Sequence, residues 1–376
     1  MNIPSEYDTI TAMINTIKRQ IDLHLEKFLE RIRHEYRLNL IHPILYASIK
    51  EFVLREGKRI RPILLILSYK GYSRRKDSFP ASLYSASICM ELLHSFMLIH
   101  DDIIDRSDLR RGKPTLHRLL AKAAKTKERE KLGYDLSIVA GDIVYALAID
   151  AFLSIKESAC RKERALKYFI QTATFTAMGE FVDTLNGAEK IDKITEKSVF
   201  LNYTLKTARY TFDCPLVIGA ILAGARDRDI KMLSTFGIKL GQAFQIQDDI
   251  LGIFDTQKNI GKSILSDLAE SKKTLLVCHA YHQLRPQKRR IFLKYFSKTR
   301  KNYQDLVAVR KIFLNAGSLR YSLEEISKRL DEAQKILKKL NINDTYRNLI
   351  SQSLLSLFQP CQRISELYEI KLPFRL

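Results

Sequence analysis

Residues 88–105 read ICMELLHSFMLIHDDIID. A long apolar run closes on three aspartates, Asp101, Asp102 and Asp105. With no Gly or Pro to interrupt it, the run reads as a helix. Asp101 and Asp105 are four apart and share one face, while Asp102 lies about 100° round. Carboxylates at a helix C-terminus repel one another and oppose the macrodipole, which prefers cations there. A hard divalent cation answers both problems. Mg²⁺ takes oxygen ligands and is typically held by one or two carboxylates plus substrate phosphates. Taken alone, the stretch also fits a solvated acidic helix end.

A second stretch weakens that alternative. GQAFQIQDDILGIF (241–254) again ends an apolar helix in paired aspartates, Asp248 and Asp249. Two such helix ends facing one cavity would grip a diphosphate through bridging Mg²⁺ ions. Basic residues complete the pattern. EGKRIRP (56–62) places Lys58, Arg59 and Arg61 before a helix, and LRRGKP supplies Arg110 and Arg111. Arginine forks suit bidentate contact with phosphate oxygens. Lys206 sits in the otherwise apolar YTLKTARYTF, which is costly unless an anion meets it. Lys262, Lys272 and Lys273 follow the second aspartate pair. Two acid pairs, two cationic groups and an apolar helical bundle describe a site for substrates with a diphosphate head and a hydrocarbon tail.

Composition agrees. The 376 residues are 46% hydrophobic but hold only 14 Gly and 9 Pro, and so few breakers favour long helices. We expect helices over 8–37, from Pro43, over 61–72, from Pro80 to Asp105, and over 134–156, 163–187, 196–224 and 228–253. After a loop at 254–271 they resume over 272–284, 303–315, 318–340 and 345–368. No alternating strand, repeat or linker is visible. The expectation is one all-α domain, a single bundle of long helices around a central cavity over residues 1–376, with 1–40 as an N-terminal helical extension.

The formal net charge of +21 admits nucleic acid, an anionic membrane or phosphorylated small molecules as partners, or a plain lysine-rich surface. The densest clusters, at 287–303 and 121–131, carry no nucleic-acid motif. Five cysteines, at 89, 160, 214, 278 and 361, show no CxxC spacing and read as small core residues in a reducing compartment. The N-terminus has no apolar signal core. The longest apolar run, CPLVIGAILAGA (214–225), is shorter than the roughly 20 residues a membrane span needs. A soluble cytoplasmic protein without a transmembrane segment is expected, with peripheral membrane contact left open.

The combined motifs resemble the polyprenyl synthetase family of trans-prenyl diphosphate synthases. GKRIRP, LLHSFMLIHDDIIDRSDLRRGKPTLH, GD at 141–142, KTA at 206–208, FQIQDDILGIF and GKSILSDLAESKKTLLV stand in the family's order and spacing from Glu56 to Lys273, and more weakly beyond. The resemblance implies the isoprenoid synthase fold, a homodimer, and three Mg²⁺ ions per site. Asp101, Asp102 and Asp105 would bind Mg²⁺ on the allylic diphosphate, and Asp248 and Asp249 a further ion. Arg110, Lys206 and Lys262 would contact the allylic diphosphate. Lys58, Arg61, His94 and Arg111 would form the isopentenyl diphosphate pocket, and Thr207 and Gln245 would stand beside the developing carbocation. Two departures are visible: Gly252 replaces the last aspartate of the second motif, and Glu180 in GEFVD stands where the family commonly has glutamine.

The implied reaction is ionisation, condensation and elimination, with no protein nucleophile. Phe96 lies five residues before Asp101 at a position that in this family helps set the pocket floor, and Met97 lies four before on nearly the same face. An aromatic there, without an insertion between Asp102 and Asp105, resembles enzymes making geranylgeranyl diphosphate. Farnesyl diphosphate stands second and a longer polyprenyl chain third. A terpene cyclase is disfavoured because ILGIFDTQ after Asp249 lacks the Ser/Thr and Glu of its second metal motif. A basic helical nucleic-acid-binding protein would explain the charge but not two acid clusters.

Overall fold

The computed structural model describes residues 6–75, 79–255, 268, 272–298 and 300–370, with side chains from residue 11 onward. Helices cover most of it, as the scarcity of breakers demands. In chain order they are α1 Glu6–Glu35, α2 Leu38–Ile41, α3 Pro43–Val53, α4 Ile60–Tyr72, α5 Ser82–Ser87 and α6 Cys89–Ile104. A short hairpin of β1 Leu109–Arg110 and β2 Lys113–Pro114 precedes α7 Leu116–Ala123, α8 Arg129–Leu153 and α9 Ala159–Ala188. Then come α10 Glu196–Tyr203, a π-helix Thr204–Asp213, α11 Cys214–Ala223 and α12 Asp227–Phe254. The last are α13 Leu275–Gln283, α14 Pro286–Phe296, α15 Tyr303–Asn315, α16 Ser318–Leu337, α17 Asp344–Leu355 and α18 Gln359–Leu367. Prolines open α3 and α14 at the first turn, where a missing N–H costs nothing.

The chain forms two compact units. Unit one comprises 1–170, 215–230 and 341–350, and unit two 171–214, 231–340 and 351–376. In unit one, α8 packs on α6 and α7, around Leu92, Leu93, Val144 and Ala148, all fully buried. Gly219 lets α11 lie directly on α4. A Cβ there would stand 2.4 Å from the Leu65 carbonyl oxygen, where Ser68 Oγ donates to the Leu216 carbonyl at 2.6 Å. In unit two the buried Phe292 and Phe313 rings lie 5.9 Å apart. The end of α12 is satisfied from the side: Arg310 Nε donates to the Ile253 carbonyl at 2.5 Å, and Arg363 pairs with the buried Asp255 carboxylate at 2.5 Å.

Several local expectations change. The helix expected from Pro80 to Asp105 breaks at Ile88, beside Ser87, whose Oγ donates to the Tyr84 carbonyl at 2.8 Å and competes with the backbone ladder. The helix expected over 196–224 contains the ten-residue π segment. The hairpin and the helices α7 and α14 were not legible as periodic patterns. By length and composition alone, the stretches Ser82–Ile104 and Arg129–Leu153 are apolar enough to cross a membrane, a test that a buried core helix also passes. The loop expected at 254–271, and Lys262 within it, lie outside the described residues apart from Phe254, Asp255 and Leu268.

Candidate active site

In unit one, α6 ends on Asp101 and Asp102, with Asp105 as its C-cap. The hairpin then folds Arg110 back over them. Its two loop residues, Arg111 (φ 54°) and Gly112 (φ 73°), both adopt positive φ, as a type I′ turn requires. That conformation costs Arg111 about 1 kcal/mol. The cost is offset where its guanidinium donates to the Glu56 carbonyl at 2.8 Å and the Arg55 carbonyl at 3.3 Å. The buried Arg55 staples the other strand by donating to the Pro114 carbonyl at 2.7 Å. So placed, Arg110 Nε donates to Asp102 Oδ1 at 2.8 Å and its Nη2 to Asp101 Oδ2 at 2.9 Å.

Asp102 is the most constrained member, at 1% exposure. Burial pushes its pKa up to about 6, with Arg110 opposing and Asp101 and Asp105 adding to the rise. Arg110 shifts the other way to burial: the Asp102 and Asp101 carboxylates outweigh desolvation and hold its proton more firmly. Asp102 Oδ2 is buried with no hydrogen-bond partner. A lone-pair oxygen left unpaired in such surroundings is an energetic fault that a cation repairs.

A second cationic set lies beside it in unit one. Arg61 and His94 are buried, Arg111 is exposed at its backbone turn, and Lys58 is exposed. Burial, then the Arg61 and Arg111 guanidinia, holds the His94 pKa well below its usual value, so it is neutral at pH 7. Burial also lowers the Arg111 pKa; Glu91 opposes, and the neighbouring Arg59, Arg61 and Arg110 add to the fall. Cations that depress one another in this way want an anion. Arg59 is not available for it: it is buried against Glu91 at 2.5 Å and Asp22 at 2.8 Å. Gly57 keeps the approach narrow, since a Cβ there would meet Arg111 Nη1 at 2.9 Å. Further back along α6, the half-buried Phe96 packs on Tyr145 of α8 with centroids 5.0 Å apart. Met97 is half-buried beside it in sequence.

Unit two carries the other predicted residues. The π-helix holds Lys206 and Thr207, and α12 holds Gln245, Asp248 and Asp249. Glycines allow the wide π turn to nest. A Cβ on Gly241 would stand 2.2 Å from Ala208 Cα, and one on Gly179 would stand 2.5 Å from Lys206 N. π segments of this kind recur at functional sites. Lys206 Nζ meets two carboxylates of α9, Asp183 at 2.8 Å and Glu180 at 2.9 Å. The anion that its burial calls for is therefore partly internal, and Glu180, the departure from the family pattern, supplies half of it.

A directed chain of hydrogen bonds crosses from α12 to the π-helix. Asp249 Oδ1 can only accept, so Gln245 turns its Nε2 toward it at 3.0 Å. Gln245 Oε1 then faces Thr207, whose hydroxyl must donate to it at 2.6 Å. Thr207 thus keeps its oxygen lone pairs for whatever lies beyond. Tyr203 donates to the other oxygen of Asp249 and accepts from the Leu275 N–H at 2.8 Å. Asp248 is exposed one residue away. Asp183, Tyr203 and Tyr145 were not singled out from sequence. Asp183 carried a signal, three residues after Glu180 on the same helix face; the two tyrosines carried none.

No group of three or more His, Cys, Asp or Glu side chains forms a metal cage among the described residues. The donor set instead fits Mg²⁺, which needs only one or two carboxylates when phosphates complete its shell, and the unpaired Asp102 oxygen would be a donor to it. A separate cavity of unit one, lined by His24, Phe28, Arg31 and Asp150 among others, contains none of the predicted residues. Its Arg31 is already paired with Asp150 and Glu35.

Residues 42–313 match the sequence model of the family described as Polyprenyl synthetase. The chain belongs to the polyprenyl synthetase family. It is a prenyltransferase of that family. It is 32% identical over 314 residues to a geranylgeranyl diphosphate synthase of Sulfolobus acidocaldarius, covering 79% of this chain and 89% of the relative. A geranylfarnesyl diphosphate synthase of Natronomonas pharaonis is 33% identical over 253 residues, covering 64% and 69%. Among solved structures, a geranylgeranyl pyrophosphate synthase of Corynebacterium glutamicum, complexed with isoprenyl diphosphate and magnesium, superposes with a TM-score of 0.86 at 25% identity, covering 92% of this chain and 99% of that one. The all-α isoprenoid synthase fold expected from the resemblance is the fold observed.

Asp102 gives this site a pH signature. Its carboxyl binds a proton more tightly folded, near 6, than unfolded, near 3.8. Its ionisation therefore lowers stability as pH rises from about 4 to about 6, by up to about 3 kcal/mol. Relative to wild type, Asp102→Asn should gain stability across that window and hold the gain above it. Urea unfolding of both proteins at pH 4, 5, 6 and 7 measures this; a difference that does not change with pH would show that Asp102 is not desolvated as described.

Proposed function

We propose that this enzyme condenses isopentenyl diphosphate with an allylic diphosphate, head to tail, and releases geranylgeranyl diphosphate. The observation that carries the reading is the pair of cationic sets in unit one. Arg110 stands on the aspartates, and the Arg61 and Arg111 guanidinia lie close to a neutral His94. Two anion positions suit two diphosphates, whereas a cyclase needs one.

Asp101, Asp102 and Asp105 in unit one, and Asp248 and Asp249 in unit two, would hold Mg²⁺, which would supply Lewis-acid neutralisation of diphosphate charge. The chain's own groups do the rest. Arg110 places positive charge on the leaving oxygens as the allylic C–O bond breaks, and the family resemblance implies the same role for Lys206. Lys58, Arg61 and Arg111 hold the second diphosphate so that its double bond meets the allylic carbon. The Thr207 lone pairs, oriented through Gln245 and Asp249, face the cation. Apolar walls exclude water, which would quench it to an alcohol. Phe96 and Tyr145 together form the floor that stops the growing tail.

With isopentenyl diphosphate and each allylic starter, wild type should yield mainly the twenty-carbon product by mass. Asp101→Ala and Asp248→Ala should each lose roughly a hundredfold or more in turnover with the fold intact. Phe96→Ala combined with Tyr145→Ala should lengthen the product by at least one isoprene unit. A wild-type product of twenty-five carbons would favour the geranylfarnesyl reading instead, and near-normal turnover in the aspartate variants would remove the metal assignment.

Glu180 shares Lys206 with any incoming diphosphate. Glu180→Gln should therefore tighten inhibition by inorganic diphosphate several-fold and lower the allylic Michaelis constant. Unchanged inhibition would mean that Glu180 does not compete for Lys206.

We also infer a homodimer. α8 exposes Leu132, Leu136 and Val139 along one face, and α9 exposes Met178, Phe181 (68%) and Leu185 along another. A helix as apolar as α8 is normally covered on all sides. Sedimentation should find a dimer for wild type and a shift toward monomer for Val139→Glu; a monomeric wild type would end the inference.

A further inference from the structure

Between Glu270 and Asp305 the chain carries ten Lys and Arg and no Asp or Glu. That is nearly half of the net excess of +21, placed on one segment of unit two. Some of these charges serve the fold. Lys273 Nζ donates to the Gly187 carbonyl at 2.7 Å. The Arg289 guanidinium lies over the Tyr281 ring at 4.6 Å and donates to the Leu284 carbonyl at 3.1 Å. Lys298 pairs with Asp305 at 2.6 Å. Arg285, Lys288, Arg290, Lys294 and Arg300 differ: all are exposed, and none makes an ion pair among the described residues.

The helix α14 arranges them. Its inward face is Phe292 and Phe296, both buried. At about 100° per residue, Arg290, Lys294, Gln287, Ile291, Tyr295 and Lys288 share the outward arc, in that angular order. Ile291 lies inside the arc, 53% exposed, with cations on both sides. A single exposed aliphatic needs no explanation. One flanked by unpaired cations, on a helix whose surroundings contain no carboxylate in sequence, has the design of a helix that lies in a lipid headgroup layer. A nucleic-acid groove would want several exposed base-stacking aromatics there instead, and the one ring on the arc, Tyr295, is half-buried.

We propose that the outer face of α14 docks this protein on an anionic lipid bilayer, with Lys288, Arg290 and Lys294 among the headgroup phosphates and Ile291 at the acyl boundary. The surface stands independently of the reaction, and the proposed product gives it a use: a twenty-carbon prenyl diphosphate is an amphiphile that leaves water for a bilayer. Each such cation contributes roughly a fivefold gain in partitioning near an anionic surface. Three therefore contribute on the order of a hundredfold, and salt screens the effect within a Debye length of about 8 Å at physiological ionic strength.

The test is co-sedimentation of the full chain with vesicles of phosphatidylcholine alone and of phosphatidylcholine mixed with phosphatidylglycerol. Binding is expected only to the mixed vesicles, falling as salt rises. The triple variant K288E/R290E/K294E should weaken it by well over a hundredfold, and Ile291→Ser should weaken it less, while both variants keep wild-type prenyl transfer in vesicle-free solution. If the charge reversals disturb folding by circular dichroism, glutamine at the same three positions should still weaken binding. Equal binding to both vesicle types, no binding by wild type, or undiminished binding by the folded triple variant would overturn the proposal. So would tighter binding of wild type to a single-stranded RNA oligomer than to the mixed vesicles, which would assign the face to nucleic acid. Loss of prenyl transfer in wild type with binding intact would instead count against the proposed function alone.

Discussion

A buried carboxylate held by one arginine is the interaction on which unit one's chemistry rests. Asp102 sits at the end of an apolar helix, where the macrodipole disfavours it and water does not reach it. Arg110 answers part of that charge, and it can do so only because a two-residue turn in a left-handed conformation folds the hairpin back. The remaining oxygen of Asp102 stays unpaired. Much of the surrounding structure follows from supporting this arrangement: Arg55 fixes the hairpin carbonyls, Arg59 is consumed by Glu91 and Asp22, and the Arg111 guanidinium is anchored to backbone. Protein-internal partners are just sufficient to hold the charges and insufficient to satisfy them. That is the condition in which a diphosphate and a hard cation bind well.

Unit two solves a related problem by geometry rather than burial. The π-helix spreads its turns so that Lys206 reaches Glu180 and Asp183 while Thr207 reaches Gln245. Such a turn is poorly self-supporting, and it survives here because glycines on α9 and α12 let neighbouring backbones close on it. The hydrogen-bond directions leave no freedom. A carboxylate fixes an amide, the amide fixes a hydroxyl, and the hydroxyl presents lone pairs. Asp249 therefore has an orienting task of its own. Glu180 adds a second carboxylate to the Lys206 ammonium beside Asp183, so this cation is already largely answered from within the unit.

Much of this was legible in the chain alone. The three-aspartate helix end, the repeated DD pair, the arginines after GKRI and LRR and the lysine inside an apolar segment all stand out by residue type and spacing, because metal and phosphate chemistry demands particular atoms at helix periods. The scarcity of glycine and proline likewise determined an all-helical architecture, since nothing in the chain stops a helix for long. What only the tertiary structure decided were the pairings: Arg110 on Asp102 rather than in solvent, Arg59 spent on Glu91, Glu180 on Lys206, Tyr203 on Asp249, and Phe96 against Tyr145. Each joins residues that are distant in sequence or related through a turn whose geometry is non-periodic. The π segment and the break at Ile88 escaped for the same reason, because periodicity reports which face is apolar and says nothing of how neighbouring backbones press a helix out of its regular winding.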